Sequence, residues 1–372
     1  MKITLVETTP LQIPLRRPFK TAKAEQQNAS VVIIKLHTDA GIIGIGESDP
    51  RPHITGETVD SVLAAVSGYL TPAVRGMELS AVDDIGKICA QMDRVLVSNP
   101  SAKAGIDIAA YDALGKWKGV PVHSLLGQKQ RETLQSCGFS DLGTREEAEE
   151  DAEKCKRLGC KNFKIKVGRN WVTDLERLDA VRLILGTEVD VIADPNQAWS
   201  VEQSIEVLKE AKSHLTVCEQ PTPWDDLLGL ATIAKDVDVP IIADEAVRSP
   251  SDAAILLRLK AADMVNVKHL KSGGLRRASE IAEILQNAGV ECMIGSTMET
   301  SVSSAASMHL GLACPNLKYF DVAPPTDFLI EDIADGLQWN GLEVKPNDRP
   351  GLGLELREGI LAKYAIRRPH SL

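Results

Sequence analysis

The chain has 372 residues, 44% of them hydrophobic and 25% charged, with a net charge of −10. That length supports a large core, one barrel plus a smaller domain. The scattered lysines and arginines and the 4% of aromatic residues give no nucleic-acid footprint and no stacking platform.

No apolar stretch is long enough to span a bilayer, and the start MKITLVETTPLQIPL lacks the apolar core and cleavage pattern of a signal peptide. The seven cysteines form no C-x-x-C pair, so buried, reduced thiols in a cytoplasmic protein are expected. The expected partner is a small molecule, with neither nucleic acid nor membrane.

Residues 1–125 open with strand signals at Ile3–Glu7, Ser30–His37 and Ile42–Glu47, the last two joined by a turn at Thr38-Asp39-Ala40-Gly41. Val59, Val62, Leu63, Val66 and Leu70 then recur at helical spacing, and Ala102–Lys118 reads as a helix apolar over much of its surface.

From residue 126 to 339 the pattern is strand, loop, helix, repeated. Eight strands are expected around 134–139, 162–167, 189–194, 215–219, 239–244, 263–268, 290–295 and 318–322. Capping boxes are expected at Thr144/Glu147 and Ser200/Gln203, a cap at Ser249-Pro250 and a helix stop at Gly159. Eight β/α units predict a closed (β/α)8, TIM-like barrel beneath an α+β capping domain. The irregular segment 340–372, with Gly341, Pro346, Pro350, Gly351 and Gly353, is expected to return to that domain.

Three acids end consecutive barrel strands: Asp194 in VDVIADPNQ, Glu219 in LTVCEQP and Asp244 in VPIIADE, separated by equal gaps of 25 residues. Parallel strands open at one face, so the three should lie along one arc of the rim. Oxygen donors without histidine or cysteine suit Mg²⁺, with Mn²⁺ as a substitute. Lys164 and Lys166, two apart on the second strand, point to the same side, because Phe163, Ile165 and Val167 supply the opposite apolar face. Lys268 ends the sixth strand, across the ring from the second.

A carboxylate substrate gripped by the cation would lie between Lys166 and Lys268, with one ammonium at each face of its α-carbon. This arrangement suits removal of the α-proton, provided a lysine pKa is lowered to roughly 7–8. Glu245 and Glu299 are placed beside the site to hold a lysine or make a structural ion pair. Lys271 is expected to face solvent or support the following turn, and His269 to point away. His53 and His309 show no ligand spacing.

These residues resemble the enolase superfamily, and within it the muconate-lactonizing subgroup. The likeness covers nearly the whole chain, through K-x-K and the strings DPNQAW, EQP, ADE and NVKHLKSGG. PSAKAGIDIAAYDAL, ITGET and CMIGSTMET are most similar to dipeptide epimerases. The resemblance implies that Lys166 and Lys268 are the acid/base pair, that Lys164 stabilises the substrate carboxylate, and that Asp194, Glu219 and Asp244 hold the metal. It further implies substrate contacts from Thr55, Ser296, Thr297, Glu299 and Asp321, support from Asn196 and Glu245, and closing loops at 19–28 and 49–58.

One departure stands out. Dipeptide epimerases carry D-x-D after the eighth strand to hold the substrate ammonium, and here the string is Asp321-Val322-Ala323. Asp327 lies further along and is a candidate replacement. The reading is a Mg²⁺-dependent racemase or epimerase of an amino acid derivative or dipeptide. The alternatives are a muconate-type cycloisomerase, a dehydratase or succinylbenzoate-synthase-like eliminating enzyme, a Schiff-base aldolase and a non-catalytic binding barrel. Such barrels often assemble, so a homo-oligomer is expected.

Overall fold

The computed structural model describes residues 1–366, so residues 367–372 of the expected return segment lie outside the described residues. The N-terminal sheet is an antiparallel meander of β1 (Ile3–Lys20), β2 (Glu25–Thr38) and β3 (Ile43–Ser48). The first two strands are far longer than expected. Pro10, Pro14 and Pro18 make the middle of β1 read as a strand breaker, but β1 is an edge strand, where a missing N–H is tolerated. The resulting hairpin turns at Thr21–Ala24, where Thr21 N donates to the Ala24 carbonyl at 2.9 Å.

Helix Pro100–Lys118 lies directly on β3. A Cβ at Gly44 would sit 1.9 Å from the Ala109 carbonyl oxygen, and one at Gly46 would sit 2.0 Å from that of Gly105. Only glycine permits this approach.

A short strand, β4 (Leu134–Gln135), leads into the barrel: β5 (Gly138–Ser140), β6 (Asn162–Lys166), β7 (Asp190–Asp194), β8 (Val217–Glu219), β9 (Ile241–Ala243), β10 (Met264–Val267), β11 (Cys292–Gly295) and β12 (Leu317–Asp321). These eight pair in parallel in chain order. The ring closes where Ser136 bridges Phe320 in parallel and Cys137 N donates to the Phe320 carbonyl at 3.0 Å. The fold is therefore a (β/α)8-type barrel with an N-terminal capping domain.

The expected first barrel strand, 134–139, is divided. Val344 in the strand Glu343–Lys345 offers Leu134 an antiparallel partner outside the ring, and the chain crosses into the barrel only at Ser136–Cys137. The return segment also reaches the cap, with Ala365 opposite Leu11 and Ile366 N donating to the Pro10 carbonyl at 3.0 Å.

Expected helix signals are found at Thr144, whose hydroxyl closes a reciprocal box with Glu147, and at Ser249 before Pro250. Gly159 adopts φ +67° just past helix Arg145–Arg157. Ser200 caps by accepting from Gln203 N, but the Gln203 side chain makes no return bond to Ser200 N, so the box is half made.

The expectation of seven reduced thiols is corrected: Cys155 and Cys160 are joined as a disulfide at the end of helix Arg145–Arg157, and the other five cysteines are free and buried. Among the described residues no helix is long and apolar enough to cross a membrane.

Two apolar layers set the site's position. Cys137, Ile192, Val217, Ile242, Met264, Met293 and Tyr319 cluster inside the ring. Phe163, Ile165 and Val167 belong to the larger core between strands and helices. Ile192, Val217 and Ile242 each lie two residues before an acid, so Asp194, Glu219 and Asp244 stand one step above the inner layer, at the barrel mouth.

Candidate active site

The structure brings together six of the expected residues at that mouth, all at least nine-tenths buried. Lys166 Nζ lies 2.5 Å from Asp194 Oδ2, and Lys268 Nζ lies 2.5 Å from Asp244 Oδ2. Lys164 Nζ sits among three acids, 2.8 Å from Glu219 Oε2, 3.2 Å from Asp194 Oδ2 and 2.8 Å from Asp321 Oδ2. The three lysines line one cavity, together with Asn196, Glu245, Ser296, Thr297, Asp321 and Ala323.

Burial alone would raise the carboxyl pKa values. Against that pressure, Lys166 and Lys164 hold Asp194 below its ordinary value, and Lys268, Lys271 and Lys164 do the same for Asp244. For Glu219 burial outweighs Lys164, and its pKa rises to about 7. Burial also dominates at Glu245, helped by the charge of Asp244 beside it, and raises its pKa.

The expected lowering of a lysine pKa is not found at Lys164 or Lys268. Burial pulls each down, but the carboxylates outweigh it, Asp321 first for Lys164 and Asp244 first for Lys268, and both are raised.

The rim is held by residues in unusual conformations. Asn196 (φ +46°), Gln197 (φ +66°) and Gln220 (φ +37°) all adopt left-handed backbone just after β7 and β8. Such strain persists only where surroundings enforce it, and it gathers at functional sites. Gln220 Oε1 accepts from Asp244 N at 2.8 Å and Ala246 N at 3.1 Å, locking the end of β9. Asn196 N donates to Asp194 Oδ1 at 2.9 Å.

The remaining expected residues divide. Ser296 Oγ donates to the Asp321 carbonyl at 2.9 Å, and the Thr297 hydroxyl donates to the Asp49 carboxylate. Thr55 is outside the cavity lining, its hydroxyl donating to the Arg51 carbonyl at 3.2 Å within a turn. Glu299 is buried behind the wall, accepting from Thr297 N at 3.3 Å and Ser304 Oγ at 3.4 Å. Among the described residues neither Glu245 nor Glu299 forms an ion pair with a lysine. Asp327 lines the cavity 3.1 Å from Lys154 Nζ. His53 lines the cavity, and His309 is buried with His123 away from it. His269 is buried against Ser303, and burial lowers its pKa to about 4.

Lys271 corrects the expectation of a solvent-facing side chain. It is 1% exposed, and its Nζ donates to the carbonyls of Val247 and Asn266 at 2.8 Å, and to that of Asp244, while lying 3.0 Å from Asp244 Oδ1. The one-turn helix His269–Ser272 carries it back beneath Asp244. Asn266 is a site residue that the sequence reading misses, although it lies two residues before Lys268 on the same strand. Its Nδ2 donates to Glu219 Oε1 at 2.9 Å. Gly295 leaves room for both, since a Cβ there would fall 2.5 Å from Asn266 Oδ1 and 2.8 Å from Lys268 Cε.

Among the described residues no three acid, histidine or cysteine side chains converge as an ion-binding cluster, because the carboxylates are turned onto the lysines. Their chemistry nevertheless fits a hard cation. Glu245 Oε2 and Asn196 Oδ1 are buried with no partner. Glu219 Oε2 and Asp244 Oδ1 accept no hydrogen bond and meet Lys164 and Lys271 only as off-angle ion pairs. Buried oxygens without donors are the groups a divalent ion satisfies.

Comparison with known proteins agrees with this architecture. Residues 3–127 match the family described as mandelate racemase / muconate lactonizing enzyme, N-terminal domain, and residues 146–360 match the enolase C-terminal domain-like family. The chain belongs to the mandelate racemase/muconate lactonizing enzyme family of the enolase superfamily. Its relatives in that family include the L-Ala-D/L-Glu epimerase of Clostridium acetobutylicum, 34% identical over 93% of this chain and 96% of that protein. The crystal structure of N-succinyl Arg/Lys racemase from Bacillus cereus superposes with a TM-score of 0.94 at 32% identity, covering 99% of both chains. The dipeptide epimerase of Enterococcus faecalis V583, complexed with Mg and L-Leu-L-Tyr, superposes with a TM-score of 0.90 at 30% identity, covering 95% of this chain and 100% of that one. These family members are isomerases.

Proposed function

We propose that this family member is a Mg²⁺-dependent racemase or epimerase that moves the proton α to the carboxylate of an amino acid derivative. The observation that carries the reading is a pair of buried ammonium groups, Lys166 and Lys268, lining one cavity and seated on different acids, Asp194 and Asp244. In one direction neutral Lys166 takes the proton from one face and protonated Lys268 returns one to the other. The roles reverse for the opposite isomer.

Asp194, Glu219 and Asp244 would hold Mg²⁺, with Mn²⁺ as a substitute. The cation would supply positive charge where the carboxylate oxygens become more negative, the kind of stabilisation that usually contributes most to such catalysis. Lys164 adds fixed positive charge on the same side and Asn196 orients Asp194. Ser296 and Asp321 stand at the substrate's amine side, with Thr297 in the same wall.

Asp321 is already neutralised by Lys164 at 2.8 Å, and Ala323 replaces a second acid with a methyl group. Capture of a free ammonium by two carboxylates is therefore not available from this motif, which favours substrates whose amine is acylated, N-acyl amino acids ahead of free dipeptides. The test is a library of N-acyl amino acids, dipeptides and cyclic amino acids incubated in D₂O with Mg²⁺. Deuterium at the α-carbon of both recovered isomers is the expected result. A changed carbon skeleton would show ring closure or elimination, and no exchange with any compound would refute the reading.

A further inference from the structure

One guanidinium bridges the cap and the barrel mouth. Arg51 follows β3, is 4% exposed and lines the cavity. Its Nη1 donates to Gln26 Oε1 at 2.6 Å, at the start of β2 in the long hairpin. Its Nη2 donates to the Met298 carbonyl at 2.8 Å, in the loop after β11, and lies 2.8 Å from Asp49 Oδ1. Asp49 in turn accepts from the Thr297 hydroxyl, and neighbouring Ser296 donates to the Asp321 carbonyl. One side chain thus ties together the hairpin, the segment leaving β3, and the loop between Lys268 and Asp321.

The hairpin end held this way reaches one of the reacting lysines, Lys166, through Phe139. Gln26 pairs with Phe19 across β1 and β2. Phe19 stacks on Phe139 of β5 with ring centroids 5.7 Å apart, and Lys166 Nζ lies 5.9 Å from the Phe139 centroid. A buried Arg–Asp pair adds little stability compared with apolar packing of the same volume. The planar fork sends Nη1 toward Gln26 and Nη2 toward Met298 and Asp49, a spread that a single ammonium cannot reproduce.

We propose that Arg51 is a positioning residue that sets substrate affinity by pinning the cap hairpin over the cavity, holding Phe19 against Phe139 beside Lys166. The proposal deepens the racemase reading and its kinetic arm rests on it.

The test has two arms. The first is backbone hydrogen–deuterium exchange of the substrate-free protein. Arg51→Ala is expected to speed exchange at residues 19–26 by about tenfold or more, a loss of roughly 1.4 kcal/mol of local protection, with 162–166 unchanged. The second is steady-state racemisation by Arg51→Ala, Arg51→Lys, Gln26→Ala and the Arg51→Ala/Gln26→Ala pair. KM should rise about tenfold in Arg51→Ala, while kcat stays within about threefold and Arg51→Lys restores little. Gln26→Ala should raise KM alone but add nothing once Arg51 is gone.

Unchanged exchange at 19–26, a fall in kcat at constant KM, or additive effects of the two substitutions would each overturn the proposal. If wild-type protein exchanges no substrate α-proton, the racemase reading fails, and the hairpin arm still decides the brace. If Arg51→Ala does not fold, Gln26→Ala carries both arms.

Discussion

The barrel mouth and the cap–barrel seam are equally buried and treat charge in opposite ways. At the mouth Asp194 and Asp244 each have an ammonium within 2.5 Å, and both are held ionised. In the seam Glu47 is met by neutral donors, Thr300 N at 3.1 Å, Thr300 Oγ1 at 2.5 Å and Ser303 N at 3.1 Å. Burial wins there, raising Glu47 to about 8 and Glu299 well above the carboxylate range. Arg51 offers the seam a cation, and it serves Asp49. Burial raises Asp49 as well, even with Arg51 beside it, so the acids held ionised are the two that seat Lys166 and Lys268. Glu219 and Glu245 follow the seam's behaviour inside the mouth, since burial with the charges of Asp194 and Asp244 outweighs Lys164 and Lys268 at the first, and no lysine forms an ion pair with the second.

Breaking the mouth should have the largest effect. Lys166→Ala and Lys268→Ala are each expected to cut turnover by about 10³-fold or more, within the range for a lost general acid or base, with the far-ultraviolet dichroism unchanged. Full activity in either variant would remove that lysine from the assignment. Asp194→Asn should abolish the heat of Mg²⁺ binding in calorimetry, whereas Glu47→Gln should leave it intact. A normal isotherm for Asp194→Asn would contradict the metal assignment.

Lys271 sharpens the distinction, because it is a matched charge at the mouth that touches no cavity. Lys271→Met should lose about 1–3 kcal/mol in chemical denaturation, because buried carbonyls lose their shared donor while Asp244 keeps Lys268. A loss under about 1 kcal/mol would mean the cage around it is dispensable.

Seam acids should show in pH dependence. The folded-state pKa of Glu47 is raised from 4.5 to about 8, so its contribution is fully present below pH 4.5 and is lost as pH rises through 8. Glu47→Gln should flatten the decline of Tm across that window, and an unaltered slope would show that Glu47 ionises normally. The smallest change expected is from Ala323→Asp, a several-fold gain in kcat/KM for substrates with a free α-ammonium, read against an N-acyl substrate that gains nothing.

Much of the mouth is legible in the sequence because strand periodicity fixes side-chain direction. An acid or lysine at the end of an apolar run, two residues beyond an inward apolar residue, must point into the ring, as Asp194 beyond Ile192 does. The same rule applied to Asn266 and Lys268 finds Asn266.

Lys271 escapes that rule because a one-turn helix breaks strand periodicity and folds the side chain back. The length of the hairpin is hidden because the prolines of β1 look prohibitive until the strand is known to be an edge. Leu134 reads as part of the barrel because its competing partner, Val344, lies far along the chain. The Asp49–Thr297 and Arg51–Met298 contacts are likewise set by docking of cap on barrel, which no local pattern encodes.

The most direct measurement follows α-proton exchange in D₂O, starting separately from each pure isomer of a turned-over substrate, with Lys166→Ala and Lys268→Ala. Two opposed bases predict that each variant still exchanges one isomer, that the isomer differs between the two variants, and that neither variant interconverts them. Exchange of the same isomer by both variants, or interconversion by either, would contradict proton transfer between Lys166 and Lys268.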